Sequence, residues 1–399
     1  MGTRFWLLLG GFLVSSLGTW IYRLALPLMV LELTGSALGT GLVYVLEYLP
    51  YLALAMVGGV LADRHSRKLI LVTGDLAAGA LALVLAVTVT LGAPPLWLIY
   101  VMAFLLACVD PLYQPAFRAI MPSLVPVDRL APANARIHIG EHAVNMVGPV
   151  LGGALVVAFG HQVAIYVDAG TFVVSAALIG LIRTVPAAAR ASRPVLADLR
   201  EGLRFLFRQE RTVLTLACYA FAGNFGVWLL LANMVFYLTS YHHFTPAQIG
   251  LVYAFQGAGA VVGGLLGSRL LPKVRPVTLI SASMLMEGVS ILAMIPARGP
   301  LLIGLAWMGQ FAAAGVGIVA IMTVRQRLIP DHLLGRVLGT ARMIAFLAIP
   351  MAALAAGAFE SVVHNAYTLM AFAGVAGLTI AVAAGRSSLR NVVLEPAAP

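Results

Sequence analysis

Arg23 and Glu47 interrupt two consecutive apolar runs, and Glu287 interrupts a later one within SMLMEGVS. A charge buried in hydrocarbon is expensive, so such residues are functional candidates by default. At ~1.5 Å per helical residue, Arg23 lies roughly 12–15 Å below the outer end of its run and Glu47 roughly 10–14 Å below the outer end of its own. That depth permits an ion pair, either permanent and structural or switched by a proton. Glu287 has no cation at its depth in the second half of the chain. It is a further candidate proton carrier, with a hydrogen-bonded structural glutamate as the alternative.

A second charged constellation lies between two runs, in Gly59–Lys68, GVLADRHSRK. It places Asp63 with Arg64, Arg67 and Lys68 in a few residues. Acid and base one helical turn apart can pair, and an acid there can also face the N-terminus of a neighbouring helix. Asp110 follows within the fourth run. In the fifth, His138, Glu141, His142 and Asn145 share one helical face. HIGEH has its acid on the wrong side of the spacer for the H-E-x-x-H zinc motif, so a polar cluster is expected there and no metal. Polar groups inside the runs, Asn145, Asn224, Trp228, Asn233, Gln256 and Gln310, are candidates to line a substrate pocket. Tyr22, Tyr44, Tyr48, Phe255 and Phe311 are candidates for its aromatic surface. No nucleophile–base or metal set is visible, so neither an enzyme nor a cofactor is expected.

The elements that must position these groups are membrane helices. Of 399 residues, 61% are hydrophobic and 10% charged, against about 25% charged in soluble domains; mean hydropathy is +0.98. Twelve apolar runs are predicted, at about 5–31, 38–61, 69–91, 95–117, 137–159, 163–182, 212–238, 247–271, 277–296, 299–324, 337–362 and 366–385. With the N-terminus inside, 23 of the 25 Lys and Arg fall on the cytoplasmic side. That bias accounts for the +10 net charge as an insertion signal, not a nucleic-acid surface. Twelve spans place both termini in the cytoplasm. Cys108 and Cys218 read as small buried hydrophobes, with no disulfide between them.

The polar stretch 184–211 divides the runs six and six. Leu196, Leu199, Leu203, Leu206 and Phe207 repeat there at helical spacing between arginines, which predicts an amphipathic helix along the headgroups. The expected organisation is a bundle over 1–183, a linker over 184–211 and a bundle over 212–399. GGVLADRHSRK at 58–68 aligns with GGLLGSRLLPK at 263–273, and VPVDRL at 125–130 with IPDHLL at 329–334, which supports an internal repeat. Ser268 replaces Asp63 in the second copy.

The spacing G-x-x-x-D-R-x-x-R-K in Gly59–Lys68 resembles the loop between helices 2 and 3 of major facilitator superfamily transporters. GPVLGG, with Gly148, Pro149, Gly152 and Gly153, resembles the helix-5 motif of that superfamily's drug and metabolite antiporters. LPLMVLELTGSALGTGLVYVLEYLP, VPVDRLAPANA and DHLLGRVLGTARMIAFLAIPMAALAAG are similar to the branch of macrolide-type efflux proteins and enterobactin exporters. The resemblance implies an all-α fold of two six-helix bundles, with a small-molecule substrate bound between them. It also implies a monomer in a bacterial inner membrane, with protons as coupling ion. By the same resemblance Gly59, Asp63, Arg64, Arg67, Lys68 and Asp110 form a conformational latch, Asp110 meeting the loop arginine. The fourth run reads DPLYQPAFR and lacks the R-x-x-Q-G pattern linked to proton coupling. The favoured reading is a proton-coupled exporter of bulky amphipathic compounds. A lysolipid translocator or importer on the same fold is the alternative. A membrane sensor is disfavoured, since no soluble output domain is seen.

Overall fold

The computed structural model describes residues 1–92, 94–126, 129–183, 200–201, 203–330 and 333–386. These residues form α1 (Thr3–Thr34), α2 (Ala37–Arg64), α3 (Arg67–Thr90), α4 (Leu96–Ala107), α5 (Val109–Leu124) and α6 (Leu130–Gly180). They continue with α7 (Arg211–Phe236), α8 (Pro246–Leu270), α9 (Pro276–Met294), α10 (Gly299–Leu328), α11 (Leu334–Val363) and α12 (Ala366–Arg386). No strand occurs among the described residues.

Twelve helices correspond to the twelve predicted runs, although not one to one. The fourth run is broken into α4 and α5 at Cys108. Pro111 explains the break, because it has no N–H for the carbonyl four residues earlier and its ring crowds that carbonyl. The fifth and sixth runs join in α6, interrupted at Gly160, whose φ of 83° and ψ of 172° suit only glycine. The apolar stretch Pro132–Gly180 has 49 residues, some 70 Å of helix against a hydrocarbon core of about 30 Å. It therefore makes two passes.

The helices fall into two compact units. One comprises 1–35, 43–195 and 245–254, the other 36–42, 196–244 and 255–399. In the first, one core cluster gathers Phe5, Phe12, Leu71, Phe117, Ile120 and Ile179, and another Leu26, Val43, Leu85, Ile99 and Ile165. In the second, Ile280, Met284 and Val324 form one cluster. A further cluster there joins Phe205, Leu206, Val213, Leu333 and Val337. Two short segments thus group away from their sequence half, and backbone contact is the reason. In the second unit, a Cβ added to Gly41 would stand 3.0 Å from the Ala353 carbonyl oxygen.

Three expectations need correction. Cys218 is exposed and Cys108 half-buried: a span facing lipid needs an apolar surface, not burial inside protein. Of the amphipathic stretch, Leu196 and Leu199 lie outside the described residues. Leu206 is fully buried against the cluster around Val337, while Phe207 is 58% exposed. This part of the linker, ending in a π-helical turn at Phe205–Gln209, packs on protein through Phe205 and Leu206 and leaves Phe207 outward, so its apolar residues do not form one exposed stripe. Arg325, one of the 23 cations counted on the cytoplasmic side and so expected in water, is instead 2% exposed and donates to the Leu216 carbonyl at 2.9 Å.

Candidate functional site: a charged cluster inside the first unit

Arg23 on α1 and Glu47 on α2 form the expected ion pair, Nε donating to Oε1. Their side chains are 31% and 16% exposed, respectively. The pair is not isolated. Tyr48 and Asp110 lie near enough for their charges to act on Arg23, and Asp168 on α6 is likewise within Coulombic reach of it. Tyr22, buried, has a hydroxyl with no partner.

Trp20 ties this cluster to the helix-5 motif. Arg23 lies 5.7 Å from its ring centroid, and its Nε1 donates to Asn145 Oδ1 at 2.6 Å. The ring also rests on Gly148, where a Cβ would come within 2.6 Å of Trp20 Cβ. GPVLGG in fact serves two neighbours. Gly148 and Gly152, one turn apart, face Trp20 and Ile21 of α1. Pro149 and Gly153 face α8: a Cβ on Gly153 would be 2.4 Å from the Pro246 carbonyl oxygen, and one on Gly250 2.5 Å from that of Pro149. Two interleaved i, i+4 pairs thus let α6 touch two helices at backbone distance.

The loop residues behave differently from the expected latch. Arg67 Nη1 donates to the Ala119 carbonyl at 2.7 Å, and its Nε to that of Ala62 at 3.5 Å. Lys68 Nζ donates to the Gly180 carbonyl at 2.5 Å. These cations therefore satisfy carbonyls near the ends of α2, α5 and α6, where helices leave orphan acceptors and negative partial charge. Asp110 does not meet Arg67. It accepts from Gln114 Nε2 at 3.2 Å, and Ala119 lies nine residues, ~13 Å, further along α5. Arg64 makes an interaction of its own, and the side chain of Asp63 lies outside the described residues. Gly59 faces open space. Its neighbour Gly58 makes the close contact, 2.2 Å from a virtual Cβ to the Pro111 carbonyl.

Most candidate pocket groups bind other helices. Asn224 Nδ2 donates to Ala345 O and Asn233 Nδ2 to Ala356 O, each at 2.9 Å, joining α7 to α11. Gln256 accepts from Trp307 Nε1 at 3.3 Å. Phe311 packs edge-on against the same Trp307, and Phe255 against Gly304. Tyr44 neighbours Tyr253. Trp228 is half-buried and engaged. Gln310 is fully buried with neither amide atom bonded, although it approaches Glu287 from α10. Glu287 is the one acid lining a cavity of about 190 Å³ between Phe221, Phe225, Met284 and Phe372. His138 pairs with Glu141 at 2.9 Å, and His142 is exposed.

Three buried acids escaped the sequence reading. Asp75 accepts from the Ser175 hydroxyl at 2.7 Å, Glu360 from the Tyr241 hydroxyl at 2.5 Å, and Asp168 lies beside Arg23. Asp75 and Asp168 interrupt apolar runs five or six residues from an end, so a shallower depth criterion would have found them, whereas Glu360 sits two residues from the end of its run.

The family model for the Major Facilitator Superfamily matches residues 8–353. The chain belongs to that superfamily. It is 30% identical over 338 residues to the enterobactin exporter EntS of Salmonella paratyphi A, covering 82% of this chain and 78% of that one. With macrolide efflux protein A of Streptococcus pyogenes it shares 25% identity over 366 residues, 89% of each chain. A bacterial homologue of the human lysosomal transporter Spinster, crystallised inward-facing and unoccupied, has the same fold. Its TM-score is 0.77 at 16% identity, covering 98% of both chains. The protein is therefore a multi-pass membrane transporter of small molecules and not an enzyme.

Proposed function

We propose that the protein is a proton-coupled exporter of bulky amphipathic compounds, working by alternating access in a bacterial inner membrane. The observation that carries this reading is the charged cluster around Arg23. An arginine, three acids and two tyrosines stand together inside apolar helices, where an unbalanced charge is costly. Such a cluster is balanced in one protonation state and unbalanced in another, which is what coupling to a proton requires. Glu47 and Arg23 are its switching pair, and Glu287 is a second acid within reach of a cavity. The efflux relatives support an outward direction, with siderophores and macrolides as the first substrate classes to try. The basic residues of the connecting segments support a topology with both termini in the cytoplasm. The protein acts as a monomer.

Reconstituted full-length protein, an imposed pH gradient and radiolabelled erythromycin provide the test. Accumulation that follows the gradient and collapses with a protonophore supports the reading. Accumulation indifferent to the gradient refutes the coupling.

A further inference from the structure

Asp168 is 1% exposed, and its Oδ1 has no hydrogen-bond partner among the described residues. The surroundings explain why. On α1 the facing residue is Gly18, so close that a Cβ there would stand 2.8 Å from Oδ1. Thr171 could have donated, but its hydroxyl proton goes to the backbone carbonyl of Asp168 itself, at 2.7 Å. Tyr22 and Arg23 face the site from α1 and Glu47 from α2. Arg23 is already bonded to Glu47. Asp110 on α5 acts on Arg23. Towards α3, the titratable group is Asp75, bonded to Ser175 two turns along α6. In the other direction along α6, His161 pairs with Glu32 at 2.9 Å.

A carboxylate in such a place would carry a full charge with no donor on Oδ1 and its one nearby cation engaged elsewhere, whereas a carboxyl would carry none. Glu47 already accepts the bond of Arg23, the cluster's cation. Of the other two acids, Asp110 accepts from Gln114 at 3.2 Å, so the proton belongs on Asp168.

We infer that Asp168 is a proton-binding site of the carrier, neutral while Arg23 is bonded to Glu47 and ionised when Arg23 turns to it. On ionisation the carboxyl O–H bond breaks heterolytically, the proton leaves to water, and the negative charge stays on Asp168 as the new partner of Arg23. The inference rests on the proton-coupled reading and names the group that carries the proton.

Infrared difference spectra of the full-length protein in lipid, between alkaline and acid buffer, report protonated carboxyl groups through their carbonyl stretch. The expected result is a buried-carboxyl band in the parent that is lost in Asp168→Asn, moved in Asp168→Glu, and kept in Asp75→Asn. Should Asp168→Asn fail to fold, the displacement in Asp168→Glu decides. A band unchanged in the aspartate-168 variants, or lost only in Asp75→Asn, overturns the assignment. In proteoliposomes, gradient-driven erythromycin accumulation should fall in Asp168→Asn to that of protein-free liposomes. A parent that ignores the gradient would refute proton coupling, and the infrared comparison would still decide whether Asp168 holds a proton.

Discussion

Neutralising each half of the Arg23–Glu47 pair separately should give unequal losses of stability. A fully buried pair broken on one side costs about 3–5 kcal/mol, and an exposed pair at most about 1 kcal/mol. Exposures of 31% for Arg23 and 16% for Glu47 put this pair between those limits. The surroundings then separate the two variants. Glu47→Gln leaves Arg23 with Asp110 and Asp168 in Coulombic reach, so roughly 1–2 kcal/mol is expected. Arg23→Gln leaves three acids with no cation among them and also removes the contact with Trp20. Roughly 3 kcal/mol is expected there, unless protons fill the gap. The double variant should cost less than the two single losses added together, because each partner of a coupled pair is already spoiled once the other is gone. Unfolding of the purified full-length protein in detergent gives the three values. Additivity within about 0.5 kcal/mol, or a Glu47→Gln loss larger than that of Arg23→Gln, would refute the cluster as described. Transport supplies the functional half of the cycle. A permanent structural pair predicts that the double variant regains gradient-driven transport together with stability. A switching pair predicts that stability returns and gradient-driven transport does not.

Three further outcomes follow from the geometry. Arg67→Ala should impair transport at matched protein levels, and Arg67→Lys should rescue it only in part, since an ammonium cannot reproduce a guanidinium donating to both Ala119 and Ala62. Normal transport in Arg67→Ala, and likewise in Asp63→Asn, would remove the basic turn from the mechanism. Gly153→Val should destabilise by at least about 1–3 kcal/mol, as any Cβ meets the Pro246 carbonyl backbone-on; Gly59→Ala, facing open space, should not, and unfolding midpoints compare the two. His242, outside the spans, is held below the ordinary histidine range by burial and then by Arg298 and His243. Its neutral form also suits the 2.8 Å contact of Nε2 with the Tyr237 hydroxyl. Because the folded state binds this proton less readily than the unfolded one, stability should be full above the ordinary histidine pKa. It should fall as pH drops from there towards the lowered folded value. His242→Gln should flatten that part of a stability-against-pH curve, and an unchanged curve would refute the role.

What the residues disclosed, and what they withheld, follows from the range of the forces involved. Hydrophobic length is a local property, so twelve spans were legible from runs alone; even the departures, at Cys108 and Gly160, trace to Pro111 and to a glycine in the left-handed region. Depth is nearly local too, which is why Arg23 and Glu47 were paired correctly from two adjacent helices. Which face of a helix meets which neighbour is not local. Asn224, Asn233 and Gln256 have the composition of a pocket, yet a polar side chain in a span binds whatever acceptor the next helix offers. The same limit misled the reading of Asp110. The family resemblance suggested the arginine of the basic turn, whereas on α5 its carboxylate accepts from Gln114 and its charge acts on Arg23. Arg67 shows the reason: a carbonyl at a helix end competes for a guanidinium as well as a distant carboxylate does, and it is nearer. Asp168 is the instructive case. It lies in the sixth run, far from Arg23 in sequence, and the glycine at position 18 lets α1 approach its carboxylate closely enough for the two to share one site. A glycine facing an acid across a helix contact is therefore the signal that sequence reading lacked, and it emerges only once the helices are paired.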